Sequence, residues 1–124
     1  MLKISTRENK LCCFTIALDG SLDTETHAKL DAHIQSLLTE GAARAVTLDM
    51  AKLKYISSMG VRSVLSARKE LAKRQSELLI INMQPQVEKV FEVINLLPSL
   101  KVFASVAEMD AYLDKIQRDA GSAQ

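Results

Sequence analysis

The chain is poor in glycine, proline and cysteine, and these shortages narrow the classes of function it can have. Its four glycines are scattered at positions 20, 41, 60 and 121, so no glycine-rich loop is available to cradle nucleotide phosphates. With two prolines and no linker-like run, the 124 residues are expected to form a single domain. We predict that this domain spans residues 1–118 and that residues 119–124 form a disordered tail.

The only two cysteines are adjacent, at Cys12 and Cys13. Neighbouring residues on a strand point to opposite faces, so a disulfide between them would require a distorted backbone. Neither a histidine nor another cysteine lies nearby in the sequence to complete a metal site. We therefore predict two reduced thiols, no metal and no other cofactor.

Charge and hydropathy argue against two kinds of partner. Sixteen basic and fifteen acidic residues leave a formal charge of +1, which is not the concentrated basic charge of a nucleic-acid binder. No apolar run approaches the length of a membrane span, and the N-terminus lacks the pattern of a signal peptide. We expect a cytoplasmic protein that neither binds nucleic acid nor inserts directly into a membrane.

Apolar periodicity predicts an α/β domain with the element order β-β-α-β-α-β-α-β-α. This order favours a mixed, mostly parallel sheet of four to five strands with about four helices. The strands are predicted at residues 2–6, 11–18, 45–50, 78–81 and 100–104, with Cys12, Phe14, Ile16 and Leu18 on one face of the second. Asp19-Gly20 is predicted to turn the chain, and residues 51–56 to form a loop.

Helix starts are predicted from capping residues and apolar stripes. Four helices are expected. The first is capped by Asp23 and runs to about Glu40, and the second runs from Ser58 to about Gln75. The third opens at Pro85 and ends before Pro98, and the fourth opens with a capping box at Ser105–Glu108. The second is predicted to bury Val61, Val64, Leu65 and Leu71 and to expose Arg62, Ser66, Lys69 and Lys73.

No set of catalytic side chains stands out, and we predict that the protein is not an enzyme. His27 and His33 lie six residues apart on one predicted helix, about 120° from facing each other. A turn and a helix cap explain Asp19 and Asp23 without an acid–base role.

The sequence Ser57-Ser58-Met59-Gly60 is the most informative segment, because it opens a helix directly after a buried strand. The first N–H groups of a helix lack intrahelical partners and carry partial positive charge, so a phosphate added there is stabilised. Capping alone explains one of the two serines, and from the residues alone a cap without a regulatory role is the commoner case. The other serine is a candidate phosphate acceptor.

Two segments resemble the sequence signature of the STAS domain, a family shared by anti-sigma-factor antagonists and sulfate transporters. Residues 11–20 followed by Leu22-Asp23 resemble its strand and "G-x-L-D" opening. Leu48-Asp49-Met50 and Tyr-Ile-Ser-Ser-Met-Gly-Val at 55–61 are similar to "L-D-L … F/Y-I-D-S-S-G-L". The likeness extends over about residues 2–117 and agrees with the element order.

Similarity to the antagonist branch implies a partner-switching cycle. The unphosphorylated antagonist would bind an anti-sigma factor that is also a serine kinase, which releases the sigma factor. Phosphorylation would break this complex, and a phosphatase of the PP2C type would reset it. By position the acceptor is Ser58. The second choice is Ser57, which stands where the family has its signature Asp.

The resemblance also implies a partner surface formed by the serine corner, the outward face of its helix and a rim at Asp23. The expected partner-binding residues are Asp23, Ser57, Ser58, Met59, Gly60, Arg62, Ser66 and Lys69. Met59 stands where the family often has Ser, and Arg62 where it commonly has Gly. Because Arg62 lies one helical turn after Ser58, we hypothesise that it pairs with a phosphate there.

A second interpretation keeps the fold and drops the switch. A STAS subunit can be a constitutive accessory of a membrane lipid-transporter complex and carry no phosphate, and the missing Asp at position 57 is compatible with that role. We expect a stand-alone domain without a fused transmembrane or sensor region, which argues against a transporter tail or a stressosome sensor.

Overall fold

The computed structural model describes residues 1–10, 12–40, 43–93, 100–103, 107–108 and 110–115. One sheet contains β1 (Leu2–Lys10), β2 (Cys13–Leu22), β3 (Ala45–Ile56), β4 (Glu77–Ile81) and β5 (Lys101–Phe103), in that spatial order. The helices are α1 (His27–Glu40), α2 (Ser58–Lys73) and α3 (Pro85–Val93), and residues 107–108 and 110–115 are also helical. β1 is antiparallel to β2, and the later pairs are parallel. The predicted fold class and element order are confirmed.

The three helices α1, α2 and α3 contribute to one large apolar core with the sheet. Alternate strand residues such as Ile16, Leu48 and Ile80 point into it, because successive side chains of a strand face opposite ways. Helix residues spaced three and four apart complete it, among them Leu30, Ile34, Leu38, Val61, Val64, Leu71, Val87 and Phe91. All four residues of the predicted apolar run 78–81 are buried, as expected for a strand covered on both faces.

A second, smaller core lies on the other face of the sheet, where Leu113 packs with Cys13, Ala45, Leu79 and Ile81. The hydroxyl of Tyr112 lies 2.7 Å from both carboxylate oxygens of Glu77, and the Lys101 ammonium donates to the same carboxylate. This polar cluster fastens the C-terminal helical residues to β4 and β5.

The predictions of a turn at Asp19-Gly20 and of a loop at residues 51–56 are wrong, because β2 and β3 continue side by side through both segments. Gly20 is paired with Leu2 on one side and with Leu53 on the other. Its φ of +123° is accommodated by an irregularity in the strand register, and a Cβ there would lie 2.2 Å from the Met1 carbonyl oxygen. Leu53 and Ile56 are buried at a spacing of three, which hides the alternation expected of a strand.

The turn between β1 and β2 also differs from the prediction. β1 runs to Lys10 rather than residue 6, and Cys12 lies in the turn with a φ of +61°, not on the strand face with Phe14, Ile16 and Leu18. The Glu8 carboxylate accepts the Cys12 amide at 2.8 Å, which holds this turn. Neither cysteine forms a disulfide, and Cys13 is buried.

Helix α1 begins later than predicted, at His27, because residues 24–26 form a turn first. Helix α2 ends at Lys73, and its predicted faces are confirmed except that Leu65 is only half-buried. Pro85 opens α3 as predicted. The predicted helix stop at Pro98, the Ser105 cap and the tail at 119–124 lie outside the described residues. No helix in the described part of the chain is both long and apolar enough to span a membrane.

Candidate functional site

The site is a corner where β2 and β3 end together and α2 begins. Leu22 is paired with Ile56 in the parallel ladder, and the Ser57 amide donates to the Leu22 carbonyl oxygen at 2.9 Å. Asp23 and Ser57 therefore follow directly after two adjacent strand ends. The fold brings together these two predicted site residues, which are distant in the sequence.

Ser57 is the N-cap of α2. Its backbone is extended, with φ −97° and ψ 176°, and its hydroxyl oxygen accepts the Gly60 amide at 3.3 Å. Its carbonyl oxygen accepts the Val61 amide at 2.9 Å and starts the helical ladder. The side chain is half-buried and already committed to the cap.

Ser58 is the first residue of α2 and is exposed. Among the described residues, its hydroxyl has no hydrogen-bond partner. The first turn of the helix contains no acidic side chain. A negative group on Ser58 would therefore meet the positive end of the helix dipole without a like charge from its own turn.

Gly60 is buried under the end of β2. A Cβ at this position would lie 2.5 Å from the Leu22 carbonyl oxygen and 2.7 Å from Ile56 Cγ1. The close approach sets the position of the α2 start against both strands. Gly60, which was predicted to belong to the partner surface, is buried in this structure and positions its exposed neighbours.

Asp23 organises the turn before α1. Its Oδ1 accepts the Glu25 amide at 3.0 Å and the Thr26 amide at 3.1 Å, while the Thr26 hydroxyl lies 3.0 Å away. Partial desolvation raises the pKa of Asp23, but the hydrogen bonds from the Thr26 hydroxyl and the two amides outweigh it and lower the pKa below its usual value. The corner thus presents a carboxylate that stays charged at neutral pH.

The outward face of α2 carries the remaining predicted residues. Arg62, Ser66 and Lys69 are exposed, and Met59 is half-buried. Positions 58, 62, 66 and 69 repeat at the spacing of one helical face, so Ser58 lies at the end of a continuous exposed stripe.

Sequence reasoning missed two residues of this corner. Tyr55, whose side chain is 55% exposed, stands two residues before the cap and is one of few large apolar side chains on the described surface. Its place in the aromatic position of the motif could have indicated it. Leu22 acts through its backbone carbonyl, a role that no side-chain pattern reveals.

A serine, a histidine and an aspartate also meet between α1 and α2. His27 Nδ1 lies 3.4 Å from the Ser63 hydroxyl and 3.4 Å from the Asp31 carboxylate. A catalytic triad needs its serine and its carboxylate on different ring nitrogens, whereas both contacts here use Nδ1. Ser63 is also buried, at 3% exposure. The arrangement therefore lacks the geometry of an activated nucleophile.

Comparison with known proteins gives sequence relatives that are named as anti-sigma factor antagonists. BtrV of Bordetella bronchiseptica is named, by inference, as an anti-sigma factor antagonist. It is 37% identical to this chain over 76 residues, which are 61% of this chain and 65% of BtrV. An anti-sigma F factor antagonist of Lysinibacillus sphaericus is 28% identical over 97 residues, 78% of this chain and 80% of that one.

The solved structures confirm the fold. SpoIIAA, an anti-sigma factor antagonist, in its unphosphorylated form matches with a TM-score of 0.71 at 21% identity, over 93% of this chain and 98% of its own. A sulfate transporter family protein from Wolinella succinogenes matches with a TM-score of 0.79 at 15% identity, over 90% and 93% of the two chains. The family model described as the STAS domain matches residues 3–109, most of the sequence. This chain belongs to the STAS domain family.

Proposed function

We propose that this protein is an anti-sigma factor antagonist that works by partner switching in the cytoplasm. When Ser58 is unmodified, the corner and the α2 stripe bind an anti-sigma factor that is also a serine kinase. Phosphorylation of Ser58 releases that partner, and a PP2C-type phosphatase restores the binding form. The names of the two sequence relatives support an anti-sigma factor as the partner.

The observation that carries this proposal is the difference between the two serines. The Ser57 hydroxyl is half-buried and accepts a hydrogen bond as the cap, whereas Ser58 is exposed and, within the described residues, unbonded. A kinase can reach Ser58 without opening the helix. A kinase that modified Ser57 would first have to displace its half-buried hydroxyl from the Gly60 amide.

A phosphate at Ser58 is expected to weaken the complex rather than the fold. In the free protein, the helix dipole and solvent stabilise the added charge. In the complex, a strongly hydrated group with almost two negative charges would be buried at the interface. Losing that hydration costs on the order of several kcal/mol, enough to change the Kd by orders of magnitude without a large conformational change.

The first experiment is phosphopeptide mass spectrometry on the protein isolated from its native cells, with the site localised between Ser57 and Ser58. Phosphate at Ser58 is expected. Phosphate at Ser57 would keep the mechanism but move the acceptor. Its absence across growth conditions, with phosphatases inhibited, would overturn the proposed switch.

A second experiment tests the consequence for binding. The Ser58→Ala variant is used to co-purify its partner from the same cells, and the partner is then identified and purified. We expect an anti-sigma factor that binds Ser58→Ala and the unmodified protein equally and binds the phosphorylated protein at least tenfold more weakly. Ser36→Ala, which removes an exposed serine hydroxyl on α1 outside the expected partner surface, is the matched control.

A constitutive accessory subunit of a membrane lipid transporter remains the second candidate function. The observation that favours it is the uncharged Ser57 at the position of the family's signature Asp. A Ser58→Asp variant separates the two candidates. Binding should be abolished under partner switching and should change only through the added bulk in a transporter accessory.

A further inference from the structure

The helix that carries Ser58 is much more basic than the rest of the chain. α2 contains four basic residues, Arg62, Arg68, Lys69 and Lys73, and one acidic residue, Glu70. Since the whole chain has a formal charge of only +1, the remainder is net acidic. The positive charge is therefore concentrated on the element that opens with the candidate acceptor.

Most of this charge has no ion-pair partner among the residues that the structure describes. Lys73 is 3.2 Å from the Glu70 carboxylate, and that pair is internal to the helix. Across the described residues, no carboxylate lies within 4.0 Å of the side-chain nitrogens of Arg62, Arg68 or Lys69. All three side chains are exposed. A concentration of unpaired like charge favours an oppositely charged surface on a partner.

Two of these cations differ in their distance from Ser58. Arg62 lies one turn away on the same face, within reach of a phosphate on Ser58. Lys69 is also on that face, but it lies eleven residues after Ser58, which is about 16 Å along the axis at the rise of an α-helix. A phosphate on Ser58 can thus pair with Arg62 and cannot reach Lys69.

We propose that the Ser58, Arg62, Ser66 and Lys69 face of α2, here called the basic stripe, docks on an acidic surface of the protein partner, and that phosphate on Ser58 withdraws Arg62 from that contact. The inference rests on the proposed function and names the chemistry of the partner surface. Phosphorylation then acts twice, by repelling the partner's carboxylates and by occupying the cation that paired with one of them.

A protein surface fits the stripe better than a membrane or a nucleic acid does. Recognition of anionic lipid by charge uses clusters of about four to eight basic residues, more than this face offers. The stripe also alternates cations with the two small polar side chains Ser58 and Ser66, and it starts next to half-buried Met59. An apolar contact flanked by charged and polar groups is the usual make-up of a protein–protein interface.

The test measures the Kd of the purified anti-sigma factor for four proteins, wild type, Lys69→Gln, Arg62→Gln and Lys3→Gln, from about 50 to about 300 mM salt. Lys3 is the matched control, an exposed lysine on β1 between two residues that face the core. At low salt we expect Lys69→Gln and Arg62→Gln each to raise the Kd about two- to fivefold, with a shallower salt dependence, and Lys3→Gln to leave it unchanged.

The withdrawal of Arg62 is tested by repeating the measurement on Ser58-phosphorylated proteins. The factor by which phosphate raises the Kd should be smaller in Arg62→Gln than in wild type, and the same in Lys69→Gln as in wild type. An equal factor in all three would overturn the role of Arg62.

The remaining outcomes separate this inference from the function on which it rests. If Lys69→Gln and Lys3→Gln bind alike, the acidic docking surface is wrong while partner switching stands. If phosphate leaves the wild-type Kd unchanged, partner switching is wrong, and the Arg62 step with it. The proposal would also be overturned if the protein bound phosphatidylserine vesicles or single-stranded DNA in a salt-sensitive way, and if Lys69→Gln abolished that binding while leaving the Kd for the protein partner unchanged.

Discussion

The Leu22 carbonyl oxygen accepts the Ser57 amide at 2.9 Å and would be only 2.5 Å from a Cβ at position 60. One backbone atom at the end of β2 thus fixes both the cap and the first turn of α2. The exposure of Ser58 between these two contacts follows from them. Backbone contacts between β2 and α2 therefore determine the geometry of the candidate switch.

Replacing Gly60 with alanine should destabilise the protein. In an ordinary helix this change stabilises by about 1 kcal/mol, since alanine has the higher helix propensity. Here the new Cβ would overlap the Leu22 carbonyl, and we expect a loss of about 1–3 kcal/mol in the free energy of unfolding. Urea unfolding measures it, with Ser66→Ala as the control on the exposed face of the same helix. A stabilised Gly60→Ala protein would show that the β2–α2 contact is looser than described.

The two serines should separate in their effects on stability. Ser57→Ala removes the acceptor of the Gly60 amide and should lower the free energy of unfolding by about 0.5–2 kcal/mol. Ser58→Ala removes an exposed hydroxyl and should change it by less than about 0.5 kcal/mol. Thermal and urea unfolding of both variants give the comparison. Equal losses would mean that the hydroxyl of Ser58 also takes part in the cap.

Asp23 should contribute to the pH dependence of stability on the acid side. Its pKa is lowered from the usual 3.8 in the folded protein, so its contribution is present above that value and is lost as the pH falls through the folded pKa. In Asp23→Asn, the fall of Tm between about pH 5 and pH 3 should be shallower than in wild type. Asp19→Asn, an exposed aspartate on β2, is the control. The same fall of Tm at acid pH in all three proteins would rule out a contribution from Asp23.

The cluster of Glu77, Lys101 and Tyr112 should stabilise the protein up to alkaline pH. The hydrogen bond to Glu77 raises the pKa of Lys101 above its usual 10.5, and desolvation raises the pKa of Tyr112 above 10.0. Groups whose folded pKa is raised contribute stability below the unfolded pKa and lose it as the pH rises through the folded one.

Tyr112→Phe tests this cluster. At pH 7 it should lower the free energy of unfolding by about 0.5–1.5 kcal/mol, the usual value of one hydrogen bond, and the difference from wild type should shrink above about pH 10. Tyr55→Phe is the control, because the described structure gives the Tyr55 hydroxyl no partner. A Tyr112→Phe protein as stable as this control would mean that the cluster does not hold the C-terminal helical residues.

Tyr55 should matter for partner binding and not for the fold. Exposed aromatic side chains beside an interface often carry a large share of its energy, so Tyr55→Ala should raise the Kd for the anti-sigma factor about tenfold or more. The Tm of the Tyr55→Ala protein should stay close to that of wild type. Val93→Ala, which truncates an apolar side chain that is 73% exposed on α3, is the control for general surface effects. Equal affinities for the two variants would place Tyr55 outside the interface.

The elements that the sequence predicted well are those with one dominant signal. The run 78–81 is continuously apolar and the stripe of α2 repeats at the helical period, and the structure follows both signals. The second half of β3 was missed because Met50, Leu53 and Ile56 are buried three apart, where irregular pairing with β2 breaks the alternation. Gly20 was interpreted as a turn residue, since a sequence does not show that both of its neighbouring strands continue.

For the site, sequence located the corner and ranked the serines only by resemblance to a family. The different roles of Ser57 and Ser58 depend on which hydroxyl accepts the Gly60 amide, and the backbone geometry determines this. The burial of Gly60 depends likewise on how closely α2 approaches Leu22. The cap depends on the backbone angles at Ser57, and the approach of Gly60 to Leu22 joins residues more than thirty positions apart, so no local pattern contains either contact.

The strands lie in the sheet in the same order as in the chain, which has a consequence for synthesis on the ribosome. When a strand emerges, the preceding strand with which it pairs has already been synthesised, so no position inside the sheet stays empty until a later segment is made. β2, β3 and α2 are complete once residue 73 has left the exit tunnel, so the corner with Ser58 can assemble before β4 and β5 arrive. Each new strand covers the open edge of the strand before it, so no apolar edge has to wait for a strand made out of order.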